Sequence, residues 1–141
     1  MIKGIVSGYF NPLHRGHIEY IHESKIRCEH LIVIVNNDNQ VKIKKSKQFM
    51  DESHRCFIIN SLKDVNEVKL SIDKDNTICQ TLISIVNKYP NDILYFFNSG
   101  DRSNMNNIET EELKICQKYK IKYVVIDMIK TYSSSTLLSL L

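Results

Sequence analysis

No stretch of this sequence approaches the roughly 18 to 20 consecutive apolar residues that span a bilayer. Its longest apolar runs, Leu31 to Val35 and Ile93 to Phe97, have the length of a strand. No membrane partner is therefore expected. A secretory leader is not expected either, because the opening Met1-Ile-Lys-Gly-Ile-Val-Ser-Gly8 turns polar too soon. Cysteine pairs are absent: Cys28, Cys56, Cys79 and Cys116 are far apart, with no C-x-x-C and no histidines at zinc spacing. Such scattered thiols fit reduced, mostly buried cysteines of a cytoplasmic protein. A strong excess of one charge is lacking too. Lys and Arg number 19 against 16 Asp and Glu, a net charge of +3. That is too little for a nucleic-acid-binding face, but it suits a small anion held by a few placed lysines. Alanine and tryptophan do not occur, and Ile, Asn and Lys abound. We read this as codon usage of an AT-rich genome and draw no structural conclusion from it.

The chain has 141 residues, the size of one domain, and residues 1–141 are read as such. Short apolar runs alternate with amphipathic stretches. Strands are expected at Ile2 to Ser7, Leu31 to Asn36, Glu67 to Ser71, Ile93 to Asn98 and Lys122 to Asp127. Helices are expected at Gly16 to Cys28, from Asp51 onward with Phe57, Ile58 and Leu62 on one face, and at Thr77 to Asn87, Thr110 to Tyr119 and Ser133 to Leu141. A lysine-rich loop is expected from Asn37 to Met50. Strands separated by single helices predict an α/β fold, a doubly wound parallel sheet of about five strands. The unbroken apolarity of Leu31 to Val35 and of Tyr123 to Ile126 suggests strands covered on both faces. Ligands of such sheets bind beyond the carboxyl ends of the strands, so the loops after Ser7, Asn36, Asn98 and Asp127 are the places for a site.

The first of these loops is the most informative. Gly8 follows a strand, Pro12 fixes the loop, and Gly16 stands where a helix begins. His14 and His17 are three residues apart, so at a helix N-terminus they can face one ligand. A helix N-terminus attracts phosphate, and two imidazoles beside it add directed donors. Two surface histidines on an ordinary turn are the bland alternative.

The string Gly8-Tyr-Phe-Asn-Pro-Leu-His-Arg-Gly-His17 resembles the G-x-F-[DN]-P-x-H-x-G-H signature of the nucleotidyltransferase superfamily. That superfamily includes cytidylyltransferases acting on glycerol, choline and ethanolamine phosphates. It also includes adenylyltransferases acting on nicotinamide mononucleotide, pantetheine phosphate and heptose phosphate. Further likeness follows in order along the chain: the lysine loop, His54-Arg55, Val65-Asn-Glu-Val68, Asn98-Ser-Gly-Asp-Arg102 and Tyr132-Ser-Ser-Ser-Thr136. The likeness is greatest to the glycerol-phosphate cytidylyltransferase type, with a Rossmann-like fold.

The resemblance implies catalytic roles for His14, His17 and Lys44, with His17 on the α-phosphate and His14 on the leaving phosphates. It implies nucleotide binding by Gly8, Tyr9, Phe10, Asn11, Gly16, Lys47, Gly100, Asp101, Lys130, Ser133, Ser134 and Ser135. Lys44, Arg55 and Thr77 would bind the acceptor, Arg55 with an organising role near the active site. Each has a structural alternative. The lysine run can be a solvated face, Arg55 a surface partner of Asp51, Gly100-Asp101 a turn, and one serine a helix cap. The implied partners are a nucleoside triphosphate carrying Mg²⁺ and a small phosphomonoester, with a homodimer possible and no nucleic acid.

The expected reaction is attack of a phosphomonoester on the α-phosphorus, releasing pyrophosphate. Cytidylyl transfer from CTP is the first expectation and adenylyl transfer from ATP the alternative. Asn11, in place of the Asp of many cytidylyltransferases, points to the latter. A non-catalytic nucleotide-binding module and a fragment of an aminoacyl-tRNA synthetase are the rivals outside this class.

Overall fold

Five parallel strands form one sheet in the order β3-β2-β1-β4-β5. The computed structural model describes residues 1–99 and 107–127. In chain order the elements are β1 (Ile2–Gly8), α1 (Arg15–Lys25), β2 (His30–Val35), α2 (Asp38–Ile43), α3 (Glu52–Asn60), β3 (Glu67–Leu70), α4 (Cys79–Lys88), β4 (Ile93–Ser99), α5 (Asn107–Lys118) and β5 (Lys122–Ile126). The chain winds outward from β1 to β3, then returns across the sheet to β4. The strand order thus reverses between β1 and β4, the position where doubly wound sheets bind ligands.

The sequence of β2 explains why it lies near the middle. Leu31, Val33 and Val35 pack on the side of α1 and α3 with Val6, Tyr20, Ile21 and Ile59. Ile32 and Ile34 pack on the other side with Leu82 and Ile85 of α4 and Cys116 of α5. The five residues Leu31 to Val35 have no exposed surface, and each such side chain contributes about 1.5–3 kcal/mol by leaving water. The run Tyr123 to Ile126 behaves differently. β5 is an edge strand, and its Tyr123, Val124 and Val125 are only partly buried. Continuous apolarity there does not mean cover on both faces.

Three further expectations are corrected. The segment after Asn37 is not all loop, because α2 forms over six residues. Asn37 caps it through its side-chain oxygen, Gln40 closes the capping box, and Val41 is buried. Phe57 is not on the buried face of α3: it is 74% exposed, while Arg55 and Ile59 face inward. The cysteines are free, but only Cys116 is fully buried; Cys28, Cys56 and Cys79 are partly exposed. The expected helix from Ser133 to Leu141 lies outside the described residues. No helix among the described residues is long and apolar enough to cross a membrane.

Candidate active site

The loop joining β1 to α1 is held from below. Phe10 has a positive φ of 49° and its ring is buried, 2% exposed. That ring packs so close to Gly8 that a Cβ added there would meet Phe10 Cζ at 2.8 Å. Gly8 is therefore required for the approach of this ring. The Asn11–Pro12 peptide is cis. The Asn11 carboxamide is committed to the lysine loop: Nδ2 donates to the Lys47 carbonyl at 2.7 Å, and Oδ1 accepts from Phe49 N at 2.9 Å and Met50 N at 3.2 Å. Asn11 thus ties the two loops together and uses both ends of its amide to do so.

His14 is the N-cap of α1, in an extended conformation, and its Nδ1 accepts from Gly16 N at 3.1 Å. His17, one turn on, accepts from His14 N through its own Nδ1 at 3.2 Å. This is a capping box built from two imidazoles instead of the usual hydroxyl and carboxylate or amide. The rings stack with centroids 3.7 Å apart, and Phe10 meets the edge of His17 at 5.1 Å.

The hydrogen bonds fix the tautomer. With Nδ1 of each ring accepting, the ring proton is placed on Nε2, the far side of the ring from the helix turn. Burial, the neighbouring His14 ring and the Lys44 ammonium push the pKa of His17 down to about 4. It is therefore neutral at physiological pH and keeps this donor. The backbone N–H groups expected to be free are not: that of Gly16 serves His14 Nδ1, and that of His17 serves the His14 carbonyl at 3.0 Å. The imidazoles carry the donor capacity of the helix end outward, from backbone N–H to Nδ1 and on to Nε2–H.

Arg55 organises the same region. It has no exposed surface. Its Nη1 donates to the carbonyls of Tyr9 at 2.8 Å and Asn36 at 2.6 Å, its Nε to Met50 at 3.1 Å, and its Nη2 to the Asp38 carboxylate at 2.9 Å. One guanidinium therefore joins the first loop, the end of β2, the start of α2 and the end of the lysine loop. A surface pair with Asp51 is not formed; Asp51 Oδ1 caps α3 by accepting from His54 N. Burial closes Arg55 to direct contact with an acceptor, and its four hydrogen bonds make it a support for this region.

A cavity of about 460 Å³ opens where the strand order reverses. Ser7, Gly8 and Tyr9 line it from the first loop, and Asn36 and Asn98 from the ends of β2 and β4. Among the described residues, Lys44, Asn76, Ile78, Phe96 and Glu112 also line it. Of the basic loop, Lys44 reaches this wall, its Nζ 4.3 Å from the centre of the Tyr9 ring. Lys47 instead lies over Phe49, at 5.3 Å. Thr77, expected to bind the acceptor, turns its hydroxyl to Asp75 at 2.7 Å, and its neighbours Asn76 and Ile78 form the wall. Gly100, Asp101, Lys130, Ser133, Ser134 and Ser135 lie outside the described residues.

Sequence reasoning missed the frame behind the cavity. Gln40, with no exposed surface, accepts from Asn36 Nδ2 at 3.0 Å and donates to the carbonyls of Asp75 at 2.9 Å and Thr77 at 2.7 Å. It thereby fixes the β3–α4 loop against β2. It also missed Glu112, one turn of α5 before the buried Cys116, and a polar residue so placed on an amphipathic helix was the available signal.

A family model described as cytidylyltransferase-like matches residues 5–138. A curated FAD synthase of Aciduliprofundum boonei is 33% identical over 75 residues, which cover 53% of this chain and 50% of that protein. The chain thus spans about half the length of these curated relatives. Among solved structures, the lipopolysaccharide core biosynthesis protein of Thermoplasma volcanium GSS1 superimposes with a TM-score of 0.68 at 26% identity, covering 92% of this chain and 98% of that one. A bifunctional NMN adenylyltransferase/ADP ribose pyrophosphatase from Francisella tularensis has a TM-score of 0.66 at 14% identity, covering 96% of this chain and 39% of that one, and so shares the fold. With the signature loop, the reversal point and the matched length in agreement, the chain belongs to the cytidylyltransferase-like family of the nucleotidyltransferase superfamily.

Proposed function

We propose that this protein is an adenylyltransferase that moves AMP from ATP to a small phosphomonoester. The observation that carries nucleotidyl transfer is the pair of imidazoles at the start of α1, each accepting through Nδ1 and presenting Nε2–H, with the Lys44 ammonium close enough to lower the His17 pKa. The choice of ATP over CTP, the reverse of the first expectation, is supported by relatives named FAD synthase. FAD is AMP joined through a pyrophosphate bond to a flavin phosphate, so a synthase of that kind has an adenylyl donor. Asn11 offers no support either way, because its amide is consumed in holding the lysine loop.

In this reading a phosphate oxygen of the acceptor attacks the α-phosphorus in line, the P–O bond to the β-phosphate breaks, and pyrophosphate leaves. The nucleophile is already ionised, so no general base is needed. The protein's task is to hold two polyanions together and to stabilise charge on the phosphoryl oxygens. His17 Nε2–H donates to an α-phosphate oxygen, His14 Nε2–H to the departing phosphates, and Lys44 sets the acceptor phosphate against them. Magnesium would be carried by the triphosphate and would supply charge neutralisation there. Among the described residues, Glu112 is the one carboxylate lining the cavity, and no group of three metal-ligating side chains occurs. Mg²⁺ held by phosphates and water suits such a donor set.

The test is pyrophosphate release in the presence of magnesium, with ATP or CTP and a panel of acceptors: FMN, glycerol phosphate, sugar phosphates and nicotinamide mononucleotide. Release with ATP and one acceptor supports the reading. Release with CTP alone restores cytidylyl transfer, and silence with every pair from folded protein makes the chain a binding module.

A further inference from the structure

We infer that Tyr9 is the seat of Lys44: its ring holds the ammonium at the cavity wall, and so decides how tightly an acceptor phosphate is gripped. The inference rests on the reading of Lys44 as a phosphate ligand. Lys44 is exposed and ends the short helix α2, so nothing in its own backbone fixes a long, flexible side chain. Yet its Nζ stands 4.3 Å from the centre of the Tyr9 ring, within cation–π distance, and both residues line the same cavity.

The backbone that carries the ring is held in place. The Tyr9 carbonyl accepts from the buried Arg55 guanidinium at 2.8 Å. The next residue, Phe10, is locked in the core under Gly8. Behind Lys44, Asp38 at the start of α2 is paired with the same guanidinium at 2.9 Å. Tyr9 and Lys44 are thus placed by one buried group and meet over the cavity. A lysine seated in advance loses less rotamer freedom on gripping phosphate than one that must be gathered from solvent. The Tyr9 ring adds no charge of its own, so its effect should pass entirely through Lys44.

A double-mutant cycle on the whole chain tests this, with inorganic phosphate as the probe and titration calorimetry as the readout. Thermal unfolding of each variant confirms that it is folded. Tyr9→Leu is expected to weaken phosphate binding about three- to tenfold, the range of a cation–π contact at a partly exposed site. Tyr9→Phe keeps the ring and restores the grip. In a Lys44→Ala background Tyr9→Leu should cost nothing further. If Tyr9→Leu weakens binding equally with and without Lys44, or if Tyr9→Phe is as damaging as Tyr9→Leu, the inference is wrong and Lys44 keeps its proposed role. If Lys44→Ala leaves phosphate binding unchanged, the inference falls together with the assignment of Lys44.

Discussion

The two ends of the sheet use the same residue types for opposite purposes. At the amino ends of the strands, Glu67 of β3 receives hydrogen bonds from Tyr89, from His30 Nε2 at 3.0 Å and from Lys88 Nζ at 2.9 Å. Burial alone would raise its carboxyl, but these bonds outweigh burial and bring the pKa down to about 2. All three donors in that cluster converge on one carboxylate of the protein. At the carboxyl ends, His14 and His17 satisfy the backbone with one nitrogen and leave the other to face outward. A histidine paired with a carboxylate closes a surface seam. A histidine paired with backbone N–H becomes a neutral donor aimed at something else.

The largest expected effect would erase the frame at the carboxyl end. Arg55→Ala removes a buried cation and leaves the Asp38 carboxylate and three carbonyls without their donor. A loss of about 3–5 kcal/mol in urea unfolding is expected. Arg55→Lys should not recover it, because one ammonium cannot reach four acceptors spread around a planar fork. Next in size is Gly8→Ala. The added methyl meets the Phe10 ring at 2.8 Å, so a loss of about 1–3 kcal/mol is expected together with lower affinity for phosphate.

Glu67→Gln breaks the other side of the comparison. It should lower the melting temperature at neutral pH and leave turnover as it is. Because the folded pKa of Glu67 lies below its ordinary value, this stability is full above about pH 4.5 and is lost as pH falls through about 2. The difference between wild type and Glu67→Gln should therefore shrink over that interval.

The smallest signal is the titration of His17 itself. Its imidazole ¹⁵N resonances should report an unprotonated Nδ1 and a protonated Nε2, and should titrate near pH 4 in the free protein. Stability drawn from the neutral ring is full above the ordinary histidine value of 6.5 and is lost as pH falls through about 4. A midpoint near 6.5 would show that the ring is not held as described.

The arrangement of the sheet was readable because β-strand burial writes itself into local pattern. Leu31 to Val35 is apolar at every position because both of its faces are covered. The same pattern misleads at β5, where position at the edge of the sheet is a property of the whole fold and not of the strand. The signature loop told where the histidines are, but not that the imidazoles themselves consume the helix N–H groups, because that depends on ring orientation. Arg55 and Gln40 were the least readable. A buried arginine and a buried glutamine have ordinary surface sequences, and only the carbonyls gathered around them from distant segments explain why they are inside. Their contribution shows only in three dimensions.

His17→Gln separates the two functions of the imidazole most directly. Glutamine at this third helical position is the usual partner in a capping box, so it can replace Nδ1 as acceptor for His14 N, yet it has no Nε2–H in the same place. The account predicts that the melting temperature stays near that of wild type while magnesium-dependent pyrophosphate release falls by about 10²–10³. Release that persists at the wild-type rate in folded His17→Gln would contradict it.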